Sequence, residues 1–247
     1  MTVAGTSARI ATALKLAHET AECLPLLPEV RRDRLVVRPV PLDRLVRSFA
    51  SFEELPGLTC AAAGAHLLRF GVKQPGLLAD PTPLAGFVYA DKSAAYILVR
   101  GDDPVPRRRF TAAHELGHLL LHFSPAGNGQ AVSDGPAVSP TLVLGDQLDS
   151  VCDAFCDGGG GPDSADGDNV RLAPSLSLPW REREANRFAA ELLMPEAVVR
   201  DLCRHYVQRY GPAPRFLEGH IATDLLVSRQ AVRYRLADLG LALVEAT

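Results

Sequence analysis

Several things are scarce in this 247-residue chain, and each scarcity closes a class of protein. Long hydrophobic runs are missing. Hydrophobic residues make up 47 %, yet nowhere do 18 apolar residues follow one another, so no membrane-spanning helix is expected. The first ten residues lack the basic, then apolar, then small order of a secretion signal. The 5 cysteines are too few, and odd in number, for a disulfide framework. Together these absences predict a reduced, cytoplasmic protein. Lysine is almost absent: of the 26 basic residues, 3 are Lys and 23 Arg, a bias that says little about mechanism. The net charge of −3 argues against a protein that works mainly by coating nucleic acid.

The mild total hides an uneven distribution. Residues 125–179 hold eight Asp and one Arg (Arg171), with no Glu or Lys, so their balance is −7 and that of the remainder is +4. The same stretch has nine Gly, six Pro and a single aromatic, Phe155, with four consecutive glycines at 158–161. Such a composition buries too little apolar surface to offset the entropy of ordering. It reads as a flexible acidic insert, with residues 141–144 as a short piece able to order. The chain therefore divides into residues 1–124, the insert 125–179, a helix at 180–195, and a C-terminal helical segment at 196–247.

Apolar residues at helical spacing predict a helix over 7–23, led by Ile10, Ala13, Leu14 and Ala17. Short helices are expected at 42–50 and 59–70. Residues 87–89 and 96–99, separated by a turn-like Ala90-Asp91-Lys92-Ser93, predict a hairpin and hence a small antiparallel sheet. A strong helix is expected from Thr111, taken as its N-cap, to about Phe123, with Arg107-Arg108-Arg109 as a solvated turn before it. Helical pattern resumes at 181–194 and stops at Pro195.

The chemistry lies in His114-Glu115-Leu116-Gly117-His118. Residues i and i+4 of a helix stand one above the other, so both imidazoles reach one metal ion. Glu115, beside the first ligand, is placed to take the proton of a water polarised by the metal and pass it to a leaving amine. A catalytic zinc site needs a third protein ligand. His122 turns too far from His114 on a regular helix, and reads as a helix-end residue or a support behind the ligands. A third histidine supplied through a glycine bend is excluded, because Leu121 and Ser124 stand at those positions. The next helix offers Glu182, on the face shared by Asn186, Ala189 and Leu193, with Asn186 placed to hydrogen-bond a ligand. Glu184 and Glu191 fall on the opposite, arginine-bearing face and are expected to be exposed.

Phe110-Thr111-Ala112-Ala113-His114-Glu115-Leu116-Gly117-His118-Leu119-Leu120-Leu121-His122, together with Glu182-Arg183-Glu184-Ala185-Asn186-Arg187-Phe188-Ala189-Ala190-Glu191-Leu192-Leu193-Met194-Pro195, closely resembles the ImmA/IrrE family of bacterial and phage metallopeptidases. The resemblance extends more weakly to residues 87–99 and 227–241. It implies an α+β, gluzincin-like fold with a small sheet, an active-site helix, a Glu-bearing ligand helix and a helix-turn-helix-like C-terminal segment. It implies Zn²⁺ held by His114, His118 and a Glu on the second helix, consistent with Glu182, with Glu115 as catalytic base. It also implies cytoplasmic cleavage of a DNA-binding helix-turn-helix repressor. This sequence departs from the family pattern in the sixty-three residues between His118 and Glu182.

The remaining features read more plainly. Cys152 and Cys156 have no second Cys/His pair nearby and are incidental cysteines. The acids from Asp157 to Asp168 lack the closing Glu of a calcium loop and form a solvated acidic loop, or a lid over the cleft. Residues 196–247 are expected to form two or three helices, with Ser228 at an N-cap. Their seven Arg against six acids favour packing or partner docking over DNA binding. The expected function is zinc-dependent peptide hydrolysis, with the hairpin binding an extended substrate by strand addition. The alternatives are a partner- or DNA-binding regulator, and a toxin–antitoxin-like protein whose metal site is structural or only weakly active.

Overall fold

A computed structural model describes residues 3–20, 29–31, 34–72, 75–91, 93–123, 137–142 and 179–241. The first helix, α1 (Val3–Thr20), is followed by a small antiparallel pair, β1 (Glu29–Arg31) and β2 (Arg34–Val36). Then come α2 (Leu42–Arg47), β3 (Ser51–Leu55), α3 (Cys60–Arg69), α4 (Pro75–Leu78), β4 (Leu84–Ala90) and β5 (Ala95–Arg100). The motif-bearing helix α5 (Val105–His118) runs on into a π-helical turn, Leu119–Phe123. After it come β6 (Ala137–Leu142), α6 (Pro179–Leu193), α7 (Glu196–Tyr210), α8 (Pro214–Leu225) and α9 (Arg229–Asp238). The architecture is α+β, as expected.

The β4–β5 hairpin is present, with Val88 opposite Ile97. Its turn is tied by Asp91, whose carboxylate accepts from the Ser93 N–H and hydroxyl at 2.7 Å each and from the Ala94 N–H at 2.9 Å. The sheet is wider than the hairpin, in the order β3-β5-β4-β6. β3 runs parallel to β5, so the expected antiparallel sheet is a mixed one. Of β3's five residues only Phe52 is buried, and two are glutamates, so its sequence carries little strand signal. Among the described residues, β4 and β5 are each paired on both sides, so the hairpin offers no free edge for strand addition.

Both faces of the sheet are covered, which is why β4 and β5 read as nearly continuous apolar runs. Val88, Ala90, Ile97 and Val99 face a core shared with α1, α2, α5, α6 and α7. Phe87, Tyr89, Tyr96 and Leu98 face a second, smaller core with α3 and α4.

Helix α5 begins at Val105, six residues before Thr111, with Pro104 at the cap position and Pro106 in the first turn, where a missing N–H costs nothing. Thr111 is therefore a buried mid-helix residue and not a cap. The three arginines belong to the helix as well: Arg107 pairs with Asp103 at 3.1 Å, Arg108 with Glu54, and Arg109 donates to the Val40 carbonyl at 3.0 Å. α6 resumes beyond the insert and packs along α5 in the larger core. Among the described residues three helices follow, and the Ser228 hydroxyl caps α9 by accepting from the Ala231 N–H at 3.1 Å. Within the insert, β6 lies close to the piece expected to order. Cys152, Cys156 and the acids from Asp157 to Asp168 lie outside the described residues. No helix among the described residues is long and apolar enough to cross a membrane.

Candidate metal centre

Two helices build the site, and a glycine lets them approach. A Cβ on Gly117 would sit 3.0 Å from the Phe188 ring and 3.2 Å from the Ala185 backbone, so any larger residue would push α6 away from α5. That approach brings the side chains of Glu182 and Asn186 onto the two histidines of α5. His114 Nε2 and His118 Nε2 lie 3.0 Å apart, and the Glu182 carboxylate is 3.2 Å from the first and 3.3 Å from the second. Four-coordinate zinc with N and O ligands has ligand–ligand edges of about 3.3 Å. The triangle is of that size.

The hydrogen bonds behind the histidines determine which nitrogens face the centre. The Asn186 side-chain oxygen lies 2.8 Å from His114 Nδ1. An amide oxygen only accepts, so His114 carries its proton on Nδ1 and presents a lone pair on Nε2. The His118 side is longer. Glu184 Oε2 lies 3.1 Å from His122 Nε2, and His122 Nδ1 lies 3.1 Å from His118 Nδ1. A carboxylate accepts, so His122 donates from Nε2 and accepts on Nδ1 from His118. His118 then also turns a lone pair inward. Burial, aided by the charges of His118, Arg181 and Arg9, pushes His122 down to about 2 and keeps it neutral for this role. Two imidazole lone pairs and a carboxylate thus converge on one point, a donor set that calls for a cation.

Burial lowers the pKa of His114, but the hydrogen bond its charged form donates to Glu182 and the charges of Glu115 and Glu182 outweigh it, and the net shift is upward. His118 is held below the ordinary imidazole value by burial. Glu182 is held well below the usual carboxylate range, because its hydrogen bonds to both histidines outweigh its burial.

Glu115 is completely buried beneath β4. A Cβ on Gly86 would lie 2.5 Å from Glu115 Oε1 and 2.5 Å from the Thr111 methyl, so only glycine leaves room for that carboxylate.

The site residues read from the sequence fall together here: His114, His118 and Glu182 form a group able to bind a metal, and Asn186 supports it. His122 stands behind His118, as a support and not a ligand. Glu184 differs from expectation. It is only 3 % exposed, bonded to His122 and paired with Arg9 of α1 at 3.4 Å. Arg9 also donates to the Leu121 carbonyl at 2.7 Å and lies over Trp180, whose ring meets His122 edge-on. α6 is covered by α5 on one side and α1 on another, so two of its faces are buried. In the sequence, the apolar residues Ala185, Phe188, Ala189, Ala190, Leu192 and Leu193 spread over more than one face of this helix, which is the signal that could have exposed this.

Two helical histidines and a carboxylate from a second helix thus form a group that could hold a metal ion on an α+β scaffold, with a buried glutamate after the first histidine. The chain belongs to the peptidase family described as the IrrE N-terminal-like domain, whose profile matches residues 76–135 and 166–237, more than half of the sequence. A search of curated proteins gives no match to the chain.

Proposed function

We propose that this chain is a zinc-dependent endopeptidase whose substrate is a helix-turn-helix repressor or regulator in the cytoplasm. The observation that carries the reading is the inward turn of both histidine lone pairs onto the Glu182 carboxylate, beside a buried Glu115. His114, His118 and Glu182 would hold the ion, which supplies Lewis-acid polarisation of a water and of the scissile carbonyl when bound. Glu115 takes the proton of the attacking water and returns it to the leaving amine, work typical of a buried carboxylate beside a cation. Asn186 and His122 keep the two imidazoles in the tautomers that bind the ion. Burial on α5 and beneath β4 keeps Glu115 fixed and shielded from bulk water.

The C-terminal helices support partner or packing roles over DNA binding. Arg233 is bridged to Glu218 at 3.0 Å, and Arg235 donates to the Met194 carbonyl and pairs with Asp238. Arg233 thereby links α9 to α8, and Arg235 links α9 to the end of the ligand helix.

The test uses purified chain loaded with Zn²⁺, incubated with the helix-turn-helix repressor encoded nearest to it, with fragments read by mass spectrometry. Cleavage by the parent, lost in Glu115→Gln with zinc content unchanged, is expected. Equal cleavage by both would overturn the assignment of Glu115.

A further inference from the structure

The outer side of β4 is not open. β6, from the acidic insert, pairs antiparallel along it from Leu84 opposite Leu142 to Ala90 opposite Ala137. Toward its Leu84 end, just past a register shift, Gly86 stands opposite Thr141 and Phe87 opposite Pro140. Gly86 is also the residue against which the Glu115 carboxylate lies. The insert therefore returns, after leaving α5, to run beside the strand that covers the proposed base.

β6 reads Ala-Val-Ser-Pro-Thr-Leu, uncharged within an acidic stretch, and it pairs in the extended form in which peptide substrates add to a sheet edge. Pro140 has no N–H to give, a property that within sheets is confined to outermost strands, first residues of strands and bulges. β6 is outermost among the described residues. The Ser139–Pro140 bond is a tertiary amide, and so it lacks the N–H that an edge would read in an ordinary peptide.

We propose that β6 is an internal occupant of the substrate edge, holding along β4 the place that an extended peptide takes for cleavage. The proposal rests on the peptidase reading above. A tethered strand acts at an effective concentration in the millimolar range, so a free peptide must out-compete it.

The test uses full-length chains carrying Glu115→Gln, so that nothing is cut. Each is compared with the same chain bearing Val138→Pro and Thr141→Pro. N–H groups alternate sides along a strand, so one of these two positions removes a donor toward β4 whichever way the ladder runs. The probe is a fluorescein-labelled peptide with the sequence of residues 136–143, followed by anisotropy. At least tenfold tighter binding to the proline variant than to its parent is expected. Equal binding, or binding to neither, would overturn the proposal. A second variant, with residues 137–142 replaced by Gly-Ser repeats, must behave like the first, and thermal unfolding checks that both are folded. Cleavage of labelled casein by the Glu115-bearing counterparts separates the two readings. Probe binding that opens without cleavage by any chain counts against the peptidase and supports the occupancy. Binding unmoved by the β6 changes overturns the occupancy whatever is cut.

Discussion

At the scale of single residues, the candidate ligands depend on groups outside the metal group itself. His122 and Glu184 set the tautomer of His118, and Arg9 balances the Glu184 charge in a partly buried pair. Removing such a support typically costs 10–100-fold in metal affinity, roughly 1.4–2.7 kcal/mol. Glu184→Ala and His122→Phe are each expected to weaken zinc binding by about that factor in a competition titration, whereas Glu191→Ala is expected to leave it unchanged. Proton competition gives a second expectation. Zinc needs His114 unprotonated at Nε2, and the pKa of His114 is raised above 6.5. Protons therefore begin to displace the metal above the ordinary imidazole range as pH falls, and affinity drops about tenfold per pH unit below that point. A flat profile from neutral to mildly acidic pH would contradict this. The ligands were legible because i, i+4 spacing and helical angle are properties of the sequence. Glu184 was not, because assigning it by angle presumes one buried face, and α1 supplies a second.

At the scale of elements, two glycines decide whether the site assembles. Gly117 sets the distance between α5 and α6, and its neighbours there are backbone atoms of Ala185, which cannot swing aside. Gly117→Ala is expected to cost about 1–3 kcal/mol as overpacking and to weaken zinc binding by separating Glu182 from the histidines. Calorimetry and metal titration check the two effects together. Gly86→Ala is expected to spare zinc content and to lower cleavage more than tenfold, because it displaces the Glu115 carboxylate and not the ligands. The helices around the site were visible in apolar spacing, and the β4–β5 hairpin in its turn. The start of α5 was misread because Thr111 looks like a cap, while prolines at 104 and 106 are the earlier start signal. β3 escaped notice because an edge strand with one buried residue shows no alternation.

At the scale of the whole molecule, the candidate metal group joins two helices through His118 and Glu182, which have sixty-three residues between them. The acidic insert between them explains why the net charge is near zero while the parts differ, and its strand β6 closes the edge of the sheet beside the site. A metal bound only by the folded chain stabilises it, by about 2.7 kcal/mol at a free concentration of 100 Kd. For a chain of this size that raises Tm by roughly 5–10 °C. The measurement that tests the central claim most directly is zinc stoichiometry and affinity in the parent and in Glu182→Ala. One zinc per chain is expected in the parent, with at least 100-fold weaker binding and no Tm rise on zinc addition in the variant. Zinc held equally well by Glu182→Ala would show that His114, His118 and Glu182 are not the metal centre.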